Sequence, residues 1–369
     1  MADRSYQICT RCVMDTTDQA IEFNDKGVCN HCIHYEEIAR KKVITGKSAE
    51  EKLGKIVAEI KEKGKNQEYD SIMGLSGGVD SSYLAYYAKK LGLRPLVAHL
   101  DNGWNSELAV KNIENIVKKL GIDLFTYVID WKEFKDLQVS FFKANVVDIE
   151  MLTDHSIKAA MYQLADQKGI KYILSGSNHV SEAIMPNAWG HRKSDLRNIK
   201  GIHRLYGTKK LKSFPMASEF KIFFWYNWFK NIKFVSILNY IPYNKKDAIA
   251  FLEKEFEWKN YGGKHYESLF TRFYQAYILP VKFNIDKRKA HLSTLICSGQ
   301  ITREKALEEL KEELYNPIML AEDKKFVLKK LGLSEDYFAE YLRTPGKHHL
   351  EYPSYQTLIN FIRYFIKRV

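Results

Sequence analysis

The sequence predicts an α/β fold built on a parallel sheet, and two observations support this prediction. Short apolar runs typical of buried strands alternate with longer stretches of helical periodicity, which indicates a parallel sheet with helices on both faces. A Gly- and Ser-rich turn also joins the first run to the helix that follows it, as at a ligand-binding strand end. The predicted strands are 69–75, 93–100, 122–130 and 170–176, and the predicted helices are 47–65, 80–91, 105–120 and 154–168.

The composition is typical of a globular protein, and the net charge predicts an anionic partner. The 369 residues are 45% hydrophobic and 28% charged, which is ordinary for a globular chain, and the net charge is +12. That balance suits nucleic acid, a nucleotide-linked substrate or an anionic membrane surface. The segment 191–212 carries eight lysine or arginine residues and the single acid Asp195. A solvated loop and a phosphate-binding surface are equally good interpretations of it.

We expect a cytoplasmic protein without a membrane span. The N-terminus is polar and leads into a cysteine motif, so it does not have the pattern of a signal peptide. The most apolar stretch, 221–243, is interrupted by Lys221, Lys230 and Lys233 and is rich in aromatic residues. A core helix or a covered surface is the expected structure, and a membrane-interface or partner-binding face is the alternative.

Four of the five cysteines form two C-x-x-C pairs, Cys9 with Cys12 and Cys29 with Cys32, separated by sixteen residues. This spacing is typical of a four-thiolate Zn²⁺ site. An iron–sulfur cluster uses the same ligands, and disulfides are the alternative, although the absent signal peptide argues for a reducing compartment. We expect a structural zinc knuckle, because four protein ligands leave no open position for chemistry.

The turn SGGVDSS after the first predicted strand has the composition of a phosphate cradle. The first turn of the following helix offers unpaired N–H groups and the positive end of a dipole. Glycines allow a large anion to approach the backbone, hydroxyl groups add donors, and Asp80 suits Mg²⁺. The cradle residues are Ser76, Gly77, Gly78, Asp80, Ser81 and Ser82.

Polar residues also follow two other predicted strands. Leu100 and Asp101 end the second strand, while Gly176 and Asn178, with Glu182 soon after, follow the fourth. Since ligands of parallel sheets bind beyond the carboxyl ends of the strands, we expect these groups and the cradle to face one crevice.

The motif Ser76-Gly77-Gly78-Val79-Asp80-Ser81 resembles the pyrophosphate (PP) loop of the N-type ATP pyrophosphatases, whose domain is adenine nucleotide alpha hydrolase-like. That superfamily includes synthetase domains for GMP, asparagine and NAD and several tRNA-thiolating enzymes. The resemblance implies that ATP is cut between its α- and β-phosphates and that AMP passes to a substrate oxygen. It places Asp80 at Mg²⁺ or pyrophosphate, and the backbone of Leu100 and Asp101 at the adenosine. Gly176 and Asn178 would then lie near the α-phosphate, and Glu182 near a metal ion.

Two classes of nucleophile compete within that superfamily. Thiolation of tRNA fits the basic charge and the zinc knuckle, but it needs a sulfur carrier, and only Cys297 remains outside the knuckle. Amidation with ammonia needs a glutaminase, yet residue 2 is alanine and the sequence around Cys297 lacks the preceding glycine of a nucleophile elbow. If ammonia is the nucleophile, we expect a separate subunit to supply it. A scaffold without activity is a third class.

The motifs CTRCVMDTTD, SGGVDSS and SGSNHVSE, with the block 258–310, resemble the N-acetyl sugar amidotransferases of lipopolysaccharide O-antigen biosynthesis. The resemblance extends from Cys9 to about Leu310. It implies that ATP activates the acetamido oxygen of a nucleotide-linked sugar and that ammonia displaces AMP, giving an acetamidino group. The implied partner is a glutaminase resembling that of histidine biosynthesis, often with a cyclase-like companion. No nucleic-acid partner is implied.

The C-terminal block holds further candidate residues. Lys264 suits phosphate oxygens, and His265 or Glu267 suits a proton acceptor for ammonium, so these three join Asp80 as the predicted catalytic residues. Lys282, Lys287 and Arg288 form a basic set for ATP or a sugar-linked diphosphate. The predicted segments are a zinc knuckle at 1–46, the PP-loop domain at 47–215, a substrate or partner region at 216–333 and a basic helical tail at 334–369.

Overall fold

The computed structural model describes residues 5–261 and 266–356, and its centre is a five-stranded sheet. All of its strand pairs are parallel. The strands are β1 Ser71–Gly74, β2 Pro95–Asp101, β3 Leu124–Val128, β4 Tyr172–Leu174 and β5 Lys233–Val235. The predicted α/β class is therefore confirmed, and each of the four predicted strands overlaps an observed one, although β2 continues one residue beyond its predicted end. The fifth strand was not predicted, because its three residues lie inside the aromatic stretch 221–243.

Helices cover the sheet and form most of the C-terminal half of the described chain. Those that precede β5 are α1 Asn30–Lys42, α2 Lys47–Lys63, α3 Val79–Lys90, α4 Glu107–Leu120, α5 Trp131–Ala144, α6 Met151–Gln167, α7 His179–Glu182 and α8 Leu196–Tyr206. Those that follow are α9 Lys245–Phe256, α10 Leu269–Phe273, α11 Leu279–Phe283, α12 Lys287–Cys297, α13 Arg303–Glu309, α14 Pro317–Leu331 and α15 Glu335–Arg343. Two π-helical segments, Lys221–Phe229 and Tyr274–Ile278, and three short 3₁₀ turns, Asn187–Trp189, Ile237–Tyr240 and His349–Glu351, complete the described helices.

The strand order places a topological switch point beside β1. The order is β3-β2-β1-β4-β5, so the chain moves from β1 outward to β3 and then returns to the other side of β1 with β4. At such a point the loops after the two central strands diverge and leave a crevice beyond the carboxyl ends. The loops after β1 and β4 are those that the sequence predicted to bind phosphate.

One large hydrophobic core joins all four predicted segments. It contains Met14, Phe141, Phe270 and Phe338, which come from the cysteine-rich segment, the α/β domain, the C-terminal region and the tail. A second core lies between the sheet and helices α2, α3 and α9, and it contains Leu53, Met73, Leu84 and Leu252. The segments thus share buried surface, and their limits stay predictions.

The aromatic stretch is not the core helix that the sequence predicted. In Lys221–Phe229 only Ile222 and Tyr226 are buried, while Trp228 is 77% exposed and Phe223 is 62% exposed. A helical segment of nine residues is short, so only the face with Ile222 and Tyr226 packs on the core and its other side chains remain at the surface. No helix in the described part of the chain has the length and apolar character needed to cross a membrane.

Candidate active site

The turn between β1 and α3 is shaped by its own hydroxyl groups. The Ser76 N–H donates to Ser81 Oγ (3.3 Å), and the Gly78 N–H donates to Ser76 Oγ (3.2 Å). Ser81 Oγ in turn donates to the Gly78 carbonyl at 3.1 Å. The turn leads directly into the 12-residue helix α3, so the positive end of the helix dipole lies at the loop. This is the arrangement that accommodates phosphate oxygens.

Gly77 is fixed by two aromatic residues from a distant part of the chain. Its carbonyl accepts hydrogen bonds from Trp258 Nε1 (2.7 Å) and from the Tyr261 hydroxyl (2.8 Å). Its φ of +84° lies in the left-handed region, and a Cβ there would lie 2.8 Å from both the Ala109 carbonyl and the Tyr261 hydroxyl. Only glycine fits. Trp258 and Tyr261 were not predicted as site residues, because isolated aromatic residues have the sequence pattern of core residues.

Asp80 in the first turn of α3 is oriented by donors from two loops. Its Oδ1 accepts hydrogen bonds from the Tyr243 hydroxyl (2.6 Å) and from the Asn178 side-chain amide (3.0 Å). Gly176 makes the approach of the β4 loop possible, since a Cβ there would lie 3.2 Å from backbone atoms of Asp80 and Ser81. The loops after β1 and β4 therefore meet, as predicted, and Tyr243 is an additional residue at their junction.

The loop after β2 is held by His99. The Asn105 side-chain amide donates to His99 Nε2 at 3.0 Å, so Nδ1 carries the proton that is donated to the Leu75 carbonyl at 3.0 Å. Asp101 accepts from the Gly103 N–H (2.8 Å) and from Asn105, so its carboxylate shapes this turn. The backbone role predicted for Asp101 is compatible with that position.

These loops open into one cleft of about 2390 Å³. The predicted site residues that line it are Ser76, Gly78, Asp80, Ser81, Leu100, Gly176, Glu182, Glu267, Lys287 and Arg288. Gly77, Asp101 and Asn178 lie behind this surface and bond to its residues. Ser82 is fully buried, and its hydroxyl has no hydrogen-bond partner within the described ranges. Among the predicted cradle residues, Ser82 is therefore one that the structure does not bring to the cleft surface.

The predicted C-terminal residues have different surroundings. Glu267 lies beside the loop, since a Cβ at Gly78 would be 3.3 Å from Glu267 Oε1. Lys264 and His265 lie outside the described residues. The structure does not bring Lys282 to the cleft, because its ammonium group donates to the carbonyls of Tyr341 and Thr344.

Arg288 lines the cleft but is already engaged by the protein. Its guanidinium pairs with Asp286 at 2.9 Å and donates to the carbonyl of Glu312 at 2.8 Å. Arg288 therefore joins the start of α12 to the chain after α13. Because its donors are already used by the protein, Lys287 is the better candidate for binding phosphate.

The four predicted zinc ligands form a compact buried cluster. All four Sγ atoms lie within 4.8 Å of one another, with 3.7 Å between Cys12 and Cys29 and 3.9 Å between Cys9 and Cys32. The Cys29 N–H donates to Cys9 Sγ at 3.2 Å, which favours a thiolate there. The cluster is compatible with tetrahedral zinc. Cys297 lies 3.6 Å from Cys32, measured between the sulfur atoms.

The cysteine cluster is anchored to helices of the C-terminal half of the chain. The Arg303 guanidinium donates to the carbonyls of Cys9 (3.0 Å) and Cys12 (3.0 Å), and the Val13 N–H donates to Ser293 Oγ (3.2 Å). The knuckle therefore supports α12 and α13, and through them the side of the cleft that carries Lys287.

Comparisons with protein families divide the chain into two matched parts. Residues 52–217 match the NAD synthase family, and residues 267–366 match the C-terminal domain of the family described as LPS biosynthesis protein WbpG-like. Two curated relatives are the GMP synthases [glutamine-hydrolyzing] from two strains of Thermus thermophilus. Each is 28% identical over 179 residues, which is 47% of this chain and 32% of the relative. The matched part thus spans about a third of the length of those relatives.

Three solved structures are also similar. The NH3-dependent NAD synthetase of Campylobacter jejuni is 15% identical, with a TM-score of 0.32, 77% of this chain covered and 96% of the other. The NMN synthetase of Francisella tularensis is 22% identical, with a TM-score of 0.29 and coverages of 36% and 56%. A predicted subunit of tRNA methyltransferase from Methanocaldococcus jannaschii is 20% identical, with a TM-score of 0.29 and coverages of 49% and 73%.

The two family matches agree with the two halves of the cleft. The PP-loop of Ser76–Ser81 lies within the first match, while Glu267 and Lys287 lie within the second. The chain is therefore similar to the NAD synthase family over the part that holds the PP-loop and to the WbpG-like lipopolysaccharide biosynthesis proteins over its C-terminal part.

Proposed function

We propose that this protein is an AMP-forming, ATP-dependent amidotransferase that converts the acetamido group of a nucleotide-activated N-acetyl sugar into an acetamidino group. The observation that carries the proposal is the shared cleft. Glu267 of the WbpG-like domain lies against Gly78 of the PP-loop, so a group activated by ATP would lie within reach of the C-terminal domain.

The proposed reaction has two balanced steps. The acetamido oxygen attacks the α-phosphorus of ATP, the bond to the β-phosphate breaks, and pyrophosphate leaves with the electron pair. The nitrogen of ammonia then attacks the activated carbon and gives up a proton, for which Glu267 is the proposed acceptor, and the carbon–oxygen bond breaks as AMP leaves with the electron pair. The chain's contribution to the first step is electrostatic, because the fixed donors of the loop and the α3 terminus stabilise charge on the leaving pyrophosphate. Asp80 and Glu182 are the residues that would hold Mg²⁺ there.

Ammonia in this proposal comes from a separate glutaminase subunit that resembles the one of histidine biosynthesis, with a cyclase-like companion. The reasoning is chemical, since the 369 residues contain no glutaminase pattern around Cys297, and the remaining cysteines form the knuckle. We place the reaction in the cytoplasm, where nucleotide-activated sugars and ATP are available together. A peripheral membrane contact through the exposed aromatic residues of 221–229 is part of the same proposal.

The test supplies ammonium directly, so that the missing partner does not matter. The purified chain is incubated with MgATP, ammonium and a panel of nucleotide-linked acetamido sugars, and AMP and sugar products are measured by mass spectrometry. We expect AMP only with a sugar, together with a product in which NH replaces oxygen. An Asp80→Asn variant serves as the inactive control. AMP formation with tRNA instead of any sugar would replace this proposal with the tRNA-thiolating alternative.

A further inference from the structure

A second set of charged side chains lines the cleft outside the PP-loop. It consists of Glu150 before α6, Lys193 in the segment 191–212 and Lys287 at the start of α12, together with Asp148, which is buried behind Lys193 and does not itself line the cleft. We call these four residues the charged cluster. They come from three separate parts of the chain, and neither the loop motif nor the strand ends involve them. The sequence analysis selected only Lys287.

Asp148 and Lys193 form the inner pair of the cluster. Lys193 Nζ lies 2.6 Å from Asp148 Oδ2, which also accepts the His191 N–H at 2.8 Å. Asp148 is 1% exposed, and its Oδ1 has no hydrogen-bond partner in the described ranges. Burial alone would raise the pKa of Asp148, but the ammonium groups of Lys193 and Lys287 outweigh it and lower the pKa to about 2. Asp148 is therefore an anion that fixes Lys193 in the wall of the cleft.

Lys287 carries a charge that the described residues do not neutralise by direct contact. Its Nζ lies 5.5 Å from the centre of the Tyr274 ring, and within residues 5–261 and 266–356 it makes neither a hydrogen bond nor an ion pair shorter than 4.0 Å. Burial lowers the pKa of Lys287, with the nearby charge of Lys193 acting in the same direction and Asp148 opposing it. A cation held in a cleft wall without a bonded anion is suited to receive one from a ligand.

Glu150 does not supply that anion at neutral pH. Its Oε1 accepts a hydrogen bond from Thr271 Oγ1 at 3.0 Å. Burial raises the pKa of Glu150 to about 8, with Asp154 adding to the shift and Lys287 opposing it. The carboxyl group is then mostly protonated at pH 7, so it offers a hydrogen-bond donor and leaves the charge of Lys287 in place.

We propose that the charged cluster is the acceptor subsite of the cleft, in which Lys287 binds an oxyanion of the acceptor and Glu150 hydrogen-bonds to it. The proposal rests on the function proposed above and adds to it the residues that hold the second substrate. Lys193 is a positioning residue, since its ammonium is already bound by Asp148. The oxyanion is either a phosphate of the nucleotide carrier or a carboxylate on the sugar, and both have the same chemistry for Lys287.

The test separates acceptor binding from ATP binding. Steady-state kinetics with ammonium are measured for Lys287→Gln, with uridine diphosphate N-acetylglucosamine and its uronic acid as acceptors. We expect the KM of the acceptor to rise about tenfold or more, as for loss of one charged hydrogen bond, while the KM of ATP stays unchanged. If the KM rises for both acceptors, Lys287 binds the diphosphate. If the KM rises for the uronic acid alone, Lys287 binds the carboxylate.

Further variants keep the result interpretable. Lys287→Arg retains the charge and should recover most of the acceptor affinity. Lys311→Gln removes one exposed lysine outside the cleft and should leave both KM values unchanged. An unchanged acceptor KM in a folded Lys287→Gln variant would overturn the subsite. If the wild-type chain forms no AMP with any acceptor, the proposed amidotransferase function is wrong. This outcome is distinct from an unchanged KM in the variant, which contradicts the acceptor subsite alone.

Discussion

The hydroxyl group of Tyr243 donates a 2.6 Å hydrogen bond to Oδ1 of Asp80, across the junction of the two central loops. The side-chain amide of Asn178 donates to the same oxygen at 3.0 Å. Tyr243 is buried, and burial together with the charge of Asp80 raises its pKa, so it remains a donor at every physiological pH. Asp80 therefore has a fixed orientation before any ligand arrives.

Removing this hydrogen bond should affect turnover more than stability. We expect Tyr243→Phe to lower kcat for AMP formation by roughly 10- to 100-fold, because a misoriented acidic group loses part of its electrostatic contribution. Steady-state kinetics of AMP release check this expectation. Tyr240→Phe changes a neighbouring, half-buried tyrosine and should leave kcat unaltered. Equal rates for Tyr243→Phe and the wild type would contradict the role assigned to this contact.

Gly77 and Gly46 form a matched pair for testing the loop. Both have positive φ values, +84° and +65°, but a Cβ meets atoms at 2.8 Å only at Gly77, and nothing lies within 4 Å at Gly46. Gly46→Ala should cost about 1 kcal/mol of unfolding free energy and leave ATP binding intact. Gly77→Ala should weaken ATP binding strongly, because the bonds from Trp258 and Tyr261 must shift.

Calorimetric titration with MgATP and denaturant unfolding separate the two effects. Equal ATP affinity in both alanine variants would show that the conformation of Gly77 does not control the loop.

The cysteine cluster predicts a metal content of one zinc per chain. Cys9→Ser should lose the metal and lower the midpoint of thermal unfolding, because the knuckle supports α12 and α13 through Arg303. Cys297→Ser is the control, since Cys297 belongs to neither C-x-x-C pair and should leave the zinc content unchanged. Elemental analysis of the purified variants measures this, and full zinc retention in Cys9→Ser would exclude the four-thiolate site.

Glu150 gives a signature in the pH dependence of stability. Its pKa is about 8 in the folded state, against 4.5 for an ordinary glutamate, so the folded protein binds the proton more tightly. The stabilisation is complete below about pH 4.5 and is lost as pH rises through about 8. The difference in unfolding free energy between the wild type and Glu150→Gln should therefore decrease as pH rises from about 4.5 to about 8, and it should stay constant at higher pH.

The groups that face Glu150 are those of Thr271, Asp154, Lys287 and Lys193. All four residues are unchanged in the Glu150→Gln variant. Urea unfolding of both proteins at several pH values provides the comparison.

Glu133→Gln is the control variant for this measurement. Burial tends to raise the pKa of Glu133, but bonds from the backbone of Lys212, Ser213 and Phe214 outweigh it and lower the pKa. Its contribution should therefore be constant over the same range, and a parallel pH profile for the two variants would contradict the raised pKa of Glu150.

Sequence patterns were sufficient where a few neighbouring residues specify a structure. The PP-loop needs glycines and hydroxyls in consecutive positions, and the zinc knuckle needs paired cysteines, so both were recognisable. The roles of Lys264 and His265 stay predictions, since those residues lie outside the described part of the chain. Lys282 was selected for its charge alone, and charge does not reveal that the carbonyls of Tyr341 and Thr344 bind its ammonium group.

The sequence by itself determined four of the five strands of the parallel sheet, the loop after β1 and the cysteine cluster, because periodicity and short-range spacing encode local structure. Only the tertiary structure decided that Trp258, Tyr261 and Tyr243 hold the loop, and that Lys193, paired with the buried Asp148, shares a cleft wall with Lys287. These residues are separated by up to 184 positions along the chain from the atoms they contact. Their proximity comes from packing of the C-terminal helices against the sheet, and no local pattern specifies such long-range contacts.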